Sequence, residues 1–355
     1  MDVLITGICG FAGSTIARTL LEWRENVHIH GIDNLSRPGS ETNLDPLRSL
    51  GCNIYTNDLR NKDALVPFTK IDWIIDAAAN PSVLAGLSNE SPSAELIDIN
   101  LFATIPLLEL CKNLQIPFTL LSTSRTYSIE SIQSIPFITL NNAFIPDPQL
   151  VPELNNGIPE SFSQDSPLSL YGTSKRCAEL LSVEYSRTFS FPVWINRCGV
   201  LAGPGQFGKA DQGIFSYWIH RWLRRLPLQY IGFNGHGHQV RDCLHPADLV
   251  PLLLKQYDAG LDFSIPHTLN VSGGTQSACS LKQLSDWCNE QLGTHQVASS
   301  NESRPFDLPW VVLDSTLAQK TWSWTPSTPL ESILQQIAQH ARANPRWLEL
   351  CRAAE

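Results

Sequence analysis

Short apolar runs alternate with amphipathic stretches through the first half of the chain. Val3-Leu4-Ile5, Val27 to Ile32, Trp73 to Asp76 and Phe118 to Leu121 are too short for helices and read as strands, the uninterrupted run Val3-Leu4-Ile5 as a buried parallel one. Asn53 to Asn57 reads as a further strand. Amphipathic helices are expected up to about Trp23, around Asp98-Ile99-Asn100-Leu101 and from Tyr171 to about Phe189, with another strand over Val193 to Asn196. Strand and helix in regular alternation predict an α/β chain with a doubly wound parallel sheet, whose ligands bind at the carboxyl ends of the strands. Residues 1–196 make this first domain. Residues 197–355 are expected to form mainly a smaller C-terminal α/β domain, with some segments returning to the first sheet. Residues 129–170 hold six prolines, from Pro136 to Pro167, and read as one long irregular segment at a ligand edge. Trp218, Trp222 and Trp287 mark core or interface faces, and the amphipathic stretch Leu330 to Ala343 predicts a helix packed on the smaller domain.

Composition narrows the function classes. Hydrophobic residues make up 43% and charged residues 17% of the 355, as in ordinary globular enzymes. A net charge of -9 argues against nucleic-acid or anionic-membrane partners held by bulk charge. No apolar run approaches the ~18 residues of a membrane span. The opening Met1-Asp-Val-Leu-Ile-Thr has no basic region and no cleavage site, so it is read as a strand rather than a signal peptide. Nine cysteines without a Cys-x-x-Cys pair suggest free thiols and a cytoplasmic setting. His236, His238 and His245 cluster near Arg241, but no carboxylate or cysteine completes a metal site of known spacing, so no metal is expected.

Candidate chemistry begins at the first strand end. Gly7, Gly10 and Gly13 form a Gly-x-x-Gly-x-x-Gly turn that would let backbone approach a pyrophosphate at a helix N-terminus. Asp33 ends the second strand about 20 residues later, where an acid meets the adenosine ribose. That acid favours NAD over NADP, although Arg37 stands near enough to accept a 2′-phosphate. Asp58 either meets the adenine amino group or caps a helix. Ala77, Ala78 and Ala79 would let a flat cofactor lie against the fourth strand end, and Asn100 would fix either a loop or the cofactor. Ser122, Thr123 and Ser124 bring hydroxyls to the fifth strand end. Tyr171 and Lys175 lie four apart on one helix face, where an ammonium favours the phenolate. Arg241 and Arg304 are candidates to fork onto a diphosphate, with surface ion pairs as the plainer alternative. Asn196 and Arg197 would position substrate or simply pack.

The glycine turn, the strand-end hydroxyls and Tyr171-x-x-x-Lys175, in that order, resemble the extended short-chain dehydrogenase/reductases, NAD-dependent nucleotide-sugar epimerases and dehydratases with a Rossmann domain and a sugar-nucleotide domain. The resemblance implies Ser124 as the catalytic hydroxyl, with Ser122 and Thr123 competing for that role, Tyr171 as acid/base, and Lys175 as its activator and ribose contact. It also implies a cofactor shell that adds Cys9, Phe11, Ala12, Asn34, Ser36, Leu59 and Ser122, and a substrate shell that includes Pro81, Arg125, Gln206 and Gln212. A narrower resemblance is to the CDP-paratose/CDP-tyvelose 2-epimerases. It rests on Asp33-Asn-Leu-Ser-Arg37-Pro-Gly, Asn156-Gly157, Gly205-Gln206-Phe207, Asp211-Gln212-Gly213 and Gly237-His-Gln239-Val240-Arg241-Asp242-Cys-Leu244-His245. It implies hydride removal and return at carbon 2 of a CDP-linked deoxyhexose, and a homodimer formed through long helices. UDP-hexose 4-epimerase uses the same chemistry, and a non-catalytic NAD-binding sensor is the alternative of another class. A dehydratase would need an acid pair after the catalytic hydroxyl, where this chain has Arg125-Thr126. Two segments depart from the family: Asp76-Ala-Ala-Ala79 stands where His-Leu-Ala-Ala is usual, and Ser124 to Ser128 is one residue shorter and ends in Ser.

Overall fold

The computed structural model describes residues 1–87 and 92–353. A seven-stranded sheet organises it. Five of its strands come first in the chain: β1 (Asp2–Thr6), β2 (His28–Asp33), β3 (Asn53–Thr56), β4 (Trp73–Asp76) and β5 (Phe118–Thr123). A sixth strand is Val193–Cys198, and the seventh, Thr268–Val271, pairs with it at the sheet edge. From that edge the order runs seventh, sixth, β5, β4, β1, β2, β3, with every pairing parallel. Val3, Ile5, Trp73 and Trp194 pack into one hydrophobic core, while Leu4, Ile74, Phe118 and Val193 pack into another. Successive side chains of a strand point to opposite faces, so two covered faces explain the uninterrupted apolar runs.

The strand order reverses between β1 and β4. The crevice at their carboxyl ends is therefore the expected ligand position. Thr6 stands opposite Asp76 in that register, so the glycine turn and the alanine run meet there.

The remaining chain builds a smaller lobe around the strand Val240–Leu244, which pairs with Ala278–Ser280, Trp310–Val311 and Val200–Leu201. The helices Ile214–Leu223 and Leu330–Ala343 share a core through Phe215, Trp218, Trp222, Ile333 and Ile337. Trp218 and Trp222 are thus core residues. Trp287 is only partly buried and donates its indole N–H to Glu331 at 2.8 Å. No helix among the described residues is long and apolar enough to cross a membrane.

Residues 129–170 differ from expectation. They contain a short helix, Ile129–Gln133, and a hairpin of Phe137–Leu140 with Ala143–Pro146. Asn141 and Asn142 turn the hairpin with φ of 49° and 63°. Both central residues with positive φ define the type I′ geometry that asparagine tolerates and hairpins prefer. Pro136 precedes the hairpin and Pro146 ends its second strand, so the prolines bound these elements instead of preventing them.

Candidate active site

The glycine turn is a close-packed cradle. A Cβ on Gly7, whose φ is +60°, would lie 2.8 Å from Ala78 Cα, and one on Gly13 would lie 2.4 Å from the Gly7 carbonyl oxygen. Helix α1 (Phe11–Trp23) starts from Gly10 with no side-chain cap and no acid in its first turn. Its leading N–H groups, from Phe11 and Ala12 onward, therefore suit an anion such as a pyrophosphate. Asp33 lies beside this turn and accepts from the N–H of Cys9 at 2.9 Å and of Leu35 at 2.8 Å. Burial pushes its carboxyl pKa up, and these backbone donors offset part of the shift. Burial also pushes the Cys9 thiol up to about 12, so this cysteine contributes packing and a backbone donor.

The residues around Asp33 have definite partners. Arg37 donates to the Gln212 side chain and the Phe207 carbonyl, both in the loop beyond Gly205. It is thus committed across the cleft rather than to a 2′-phosphate. Asn34 donates to Asp58 at 2.9 Å, and Arg60 forks onto the same carboxylate at 2.9 and 2.7 Å. Asp58 also accepts the Arg60 N–H at 2.9 Å, closing a turn rather than capping a helix, since among the described residues no helix lies between β3 and β4. Ser36 is exposed, and Leu59 packs against the second core. Ala77 and Ala78 are half-buried and Ala79 is exposed along the crevice.

Tyr171 and Lys175 occupy the first two turns of the long helix Ser169–Phe189, with exposures of 7% and 2%. The hydroxyl that acts on the Tyr171 phenol, opposing the rise of its pKa, is that of Thr123. Ser124, the sequence choice, instead begins a tight turn over Ser124–Thr126 and is buried. Thr123 also accepts the Arg125 N–H at 3.2 Å, which fixes its lone pairs toward the turn and leaves its proton for the phenol. Gly172 lets the helix dock on this segment: a Cβ there would lie 2.2 Å from the Arg125 carbonyl oxygen. Burial raises the phenol pKa; the Thr123 hydroxyl and the Arg125 guanidinium oppose that rise. Burial lowers the Lys175 pKa, against the charges of Asp76 and Glu179.

Asn100 resolves into a loop anchor. It sits in a π-helical turn, Asp98–Phe102, accepts the Asn80 N–H at 2.8 Å and donates to the Asn80 carbonyl at 3.0 Å and to Ser174 Oγ at 3.3 Å. It ties the segment after β4 to the long helix. Pro81 follows on that segment and is exposed, next to Ser82, which donates to Asp211 at 2.6 Å.

Several sequence assignments are corrected. Ser122 faces away from the cofactor crevice and donates to Glu179 at 2.5 Å. Arg197 forks onto the same Glu179 at 3.0 and 2.7 Å, inside the protein. Asn196 exchanges amide hydrogen bonds with Gln256 at 3.0 and 2.9 Å. Neither Asn196 nor Arg197 reaches the cleft, and packing is their role. Gln206 donates to the Leu201 carbonyl at 2.6 Å, and Gln212 is held by Arg37, so both side chains brace their loop.

Three arginines of the candidate substrate side have definite partners. Arg125 donates to the Phe306 carbonyl at 3.2 Å, from a residue held at φ +58°. Arg241 bonds the Leu308 carbonyl at 2.9 Å and pairs with Asp307 at 3.2 Å. Arg304 reaches the Ala210 carbonyl at 3.2 Å and lines an open cavity of about 310 Å³ with Trp218, Gln229 and Gln239. His236 and His238 stack at 5.4 Å, and His245 accepts the Ala247 N–H. Among the described residues no group of three His, Cys, Asp or Glu side chains is placed to hold a metal ion.

Comparison with known proteins agrees with this geometry. A relative in Salmonella typhi, CDP-paratose 2-epimerase, is 27% identical over 352 residues, covering 95% of this chain and 98% of the relative. UDP-glucuronate 4-epimerase of Thermodesulfobacterium geofontis is 26% identical over 351 residues, with 96% of each chain covered. The crystal structure of UDP-glucose 4-epimerase from Thermotoga maritima with UDP-glucose superposes with a TM-score of 0.78 at 21% identity, covering 97% of this chain and 99% of that one. Residues 3–272 match the model of a single family. With its glycine cradle, its strand-end acid and its Tyr171/Lys175 helix, the chain belongs to the NAD dependent epimerase/dehydratase family, and NAD is its cofactor.

Proposed function

We propose that the protein inverts a secondary alcohol of a nucleotide-bound sugar, with carbon 2 of a CDP-linked deoxyhexose as the site of reaction. The observation that carries this reading is the placement of Tyr171 and a buried Lys175 on the first two turns of a helix that docks through Gly172 on the end of the fifth strand, where the glycine cradle opens. Bound NAD+ supplies a reversible hydride acceptor. Tyr171 takes the proton of the sugar hydroxyl as phenolate and later gives it back. Thr123 orients the phenol through its hydroxyl, and Lys175 is positioned for the cofactor ribose. Arg241 and Arg304 receive the diphosphate, and the cavity beside Arg304 takes the base. Between the two steps the keto sugar presents its other face to the same cofactor, so no group beyond Tyr171 is required for inversion.

The CDP-sugar choice rests on the runs at 33–39 and 205–213, largely in loops, which carry substrate selection, on the run at 237–245, and on the 27% identity to CDP-paratose 2-epimerase. A UDP-hexose 4-epimerase is the second reading, favoured by the 26% identity to UDP-glucuronate 4-epimerase. A homodimer through the long helix is part of the proposal: Leu180 and Phe102 project from this side with exposures of 51% and 54%.

The test is incubation of the purified protein with CDP-, UDP- and GDP-sugars in deuterated water, read by mass spectrometry and NMR. Inversion at carbon 2 of a CDP-sugar without deuterium uptake is expected. Solvent deuterium at the inverted carbon would contradict direct hydride return, and inversion at carbon 4 of a UDP-sugar would select the second reading.

A further inference from the structure

Arginines around the ribose-binding acid are tied to protein acceptors. Arg18 donates to Asn43 at 2.9 Å, and Asn43 donates to the Cys9 carbonyl in the glycine turn at 3.0 Å. Arg60 is spent on Asp58. Arg37 follows Asp33 by four residues, and turns closed by side chains carry the chain between them. The Leu35 N–H donates to Asp33 Oδ1 at 2.8 Å, and the Ser36 N–H to Asn34 Oδ1 at 3.0 Å. The Ser40 N–H then closes a further turn on the Arg37 carbonyl at 3.0 Å. An arginine near the strand-end acid is what a Rossmann site uses to accept a 2′-phosphate. Here the guanidinium instead donates from Nη1 to Gln212 Oε1 and from Nη2 to the Phe207 carbonyl.

Both acceptors are held from behind. The backbone of Gln212 pairs with that of Lys209 in both directions, at 2.7 and 3.1 Å. Phe207 is buried and stacks on Trp347 with ring centroids 5.4 Å apart. It also packs on the loop that bears Arg37: a Cβ on Gly39 would lie 2.9 Å from its ring. Trp347 donates its indole N–H to the Gln206 carbonyl at 2.9 Å, and Leu348 and Cys351 complete this small core. Contacts of their own, independent of Arg37, thus fix the two acceptors.

We infer that Gln212 and the Phe207 carbonyl set the choice of NAD over NADP in this protein by occupying Arg37. Asp33 repels a 2′-phosphate, and the occupied arginine withholds the cation that would compensate. Gln212 is a positioning residue: it acts on the cofactor through Arg37. The segment around Trp347 serves the same end by pinning Phe207. The inference needs NAD as the cofactor but no particular sugar and no particular reaction.

The experiment is a competition on the protein as purified. It is equilibrated with mixtures of NAD+ and NADP+, and the bound nucleotides are released and counted by mass spectrometry. Gln212→Met keeps the length of the side chain and removes the acceptor. The ratio of bound NADP+ to bound NAD+ should rise about tenfold, the worth of one charge-assisted hydrogen bond gained by the phosphate. Gln212→Ala should do the same, which guards against a single variant that fails to fold. Gln212→Glu keeps an acceptor for Arg37 and should stay as selective as wild type. Trp347→Ala loosens Phe207 and should give a smaller gain. Arg37→Ala added to either Gln212→Met or Gln212→Ala should cancel the gain. Asp33 still repels the phosphate in all of these, so the series is repeated with Asp33→Ala, where the gains should be larger. A ratio that Gln212→Met and Gln212→Ala leave unmoved in both backgrounds overturns the inference, and so does a gain that survives Arg37→Ala. Because the competition needs no sugar, it decides the matter even if every nucleotide-sugar fails to turn over.

Discussion

Two buried charge clusters sit one turn apart on the same helix and are built on opposite principles. At Glu179 every lone pair has a donor: Arg197 forks onto it, Arg176 adds a contact at 3.0 Å and Ser122 another at 2.5 Å. At Lys175, four residues earlier, the buried Asp76 carboxylate accepts from the Thr6 hydroxyl at 2.6 Å and acts on the ammonium through its charge. A saturated network fixes geometry and resists change. A cluster with capacity to spare can redistribute charge when a ligand arrives, and that is where perturbed ionisation serves chemistry. The helix thus carries its reactive turn on one rigid foot.

Substitutions can sharpen or break this contrast. The largest effect is expected from Tyr171→Phe, which removes the proton-transfer group. Turnover should fall by about 1,000-fold, with the melting temperature and NAD binding unchanged. A large loss of stability in this variant would mean that the reactive turn is also structural. Next is Glu179→Ala, which strands Arg197 in the interior. It should cost about 3–5 kcal/mol in urea unfolding, while the protein that remains folded keeps most of its turnover. The double change of Glu179 to Leu and Arg197 to Met should cost less than Glu179→Ala alone, since no charge is then left unpaired.

Asp242 offers a third buried carboxylate for comparison. Burial raises its pKa from 3.8 to about 6, against donors on Ser272 and Leu313. The folded state therefore holds a proton that the unfolded chain has lost between those values, and stability from this group falls as pH rises through that window. Relative to Asp242→Asn, wild type should lose about 2 kcal/mol between pH 4 and pH 6, measured as the difference between paired urea titrations at each pH. A constant difference would show that Asp242 stays charged throughout. The smallest effect is expected from Ser122→Ala. It removes one of several donors to Glu179 and should cost about 1 kcal/mol, with NAD affinity unaltered. Weakened NAD binding would return Ser122 to the cofactor shell.

The sheet, its glycine turn and the Tyr171 helix were legible because each depends on local pattern: apolar runs, glycine spacing and a four-residue interval. What failed depends on partners far away in sequence. Arg37 meets residues 207 and 212, Asn196 meets Gln256, and Arg197 meets Glu179. Nothing near any of them in the chain marks the partner. The choice among three adjacent hydroxyls is a question of strand parity. Leu121 packs in one core and Phe118 and Leu120 in the other, so Thr123 shares the face of Leu121 while Ser122 shares the face that meets Glu179. Both faces are apolar, so the pattern alone did not say which face was which. The hairpin at Asn141-Asn142 did leave a signal, two turn-forming asparagines between apolar runs, but the surrounding prolines outweighed it.

Because the seventh strand, Thr268–Val271, is the outer neighbour of Val193–Cys198, the first 196 residues are not a detachable cofactor module. A fragment ending there would lose part of the sixth strand and bare the backbone of what remained, an unpaired edge that templates association between copies. Gene fusions or split-protein designs that respect this chain would place their breaks in the smaller lobe, and keep the span from 197 to 271 continuous.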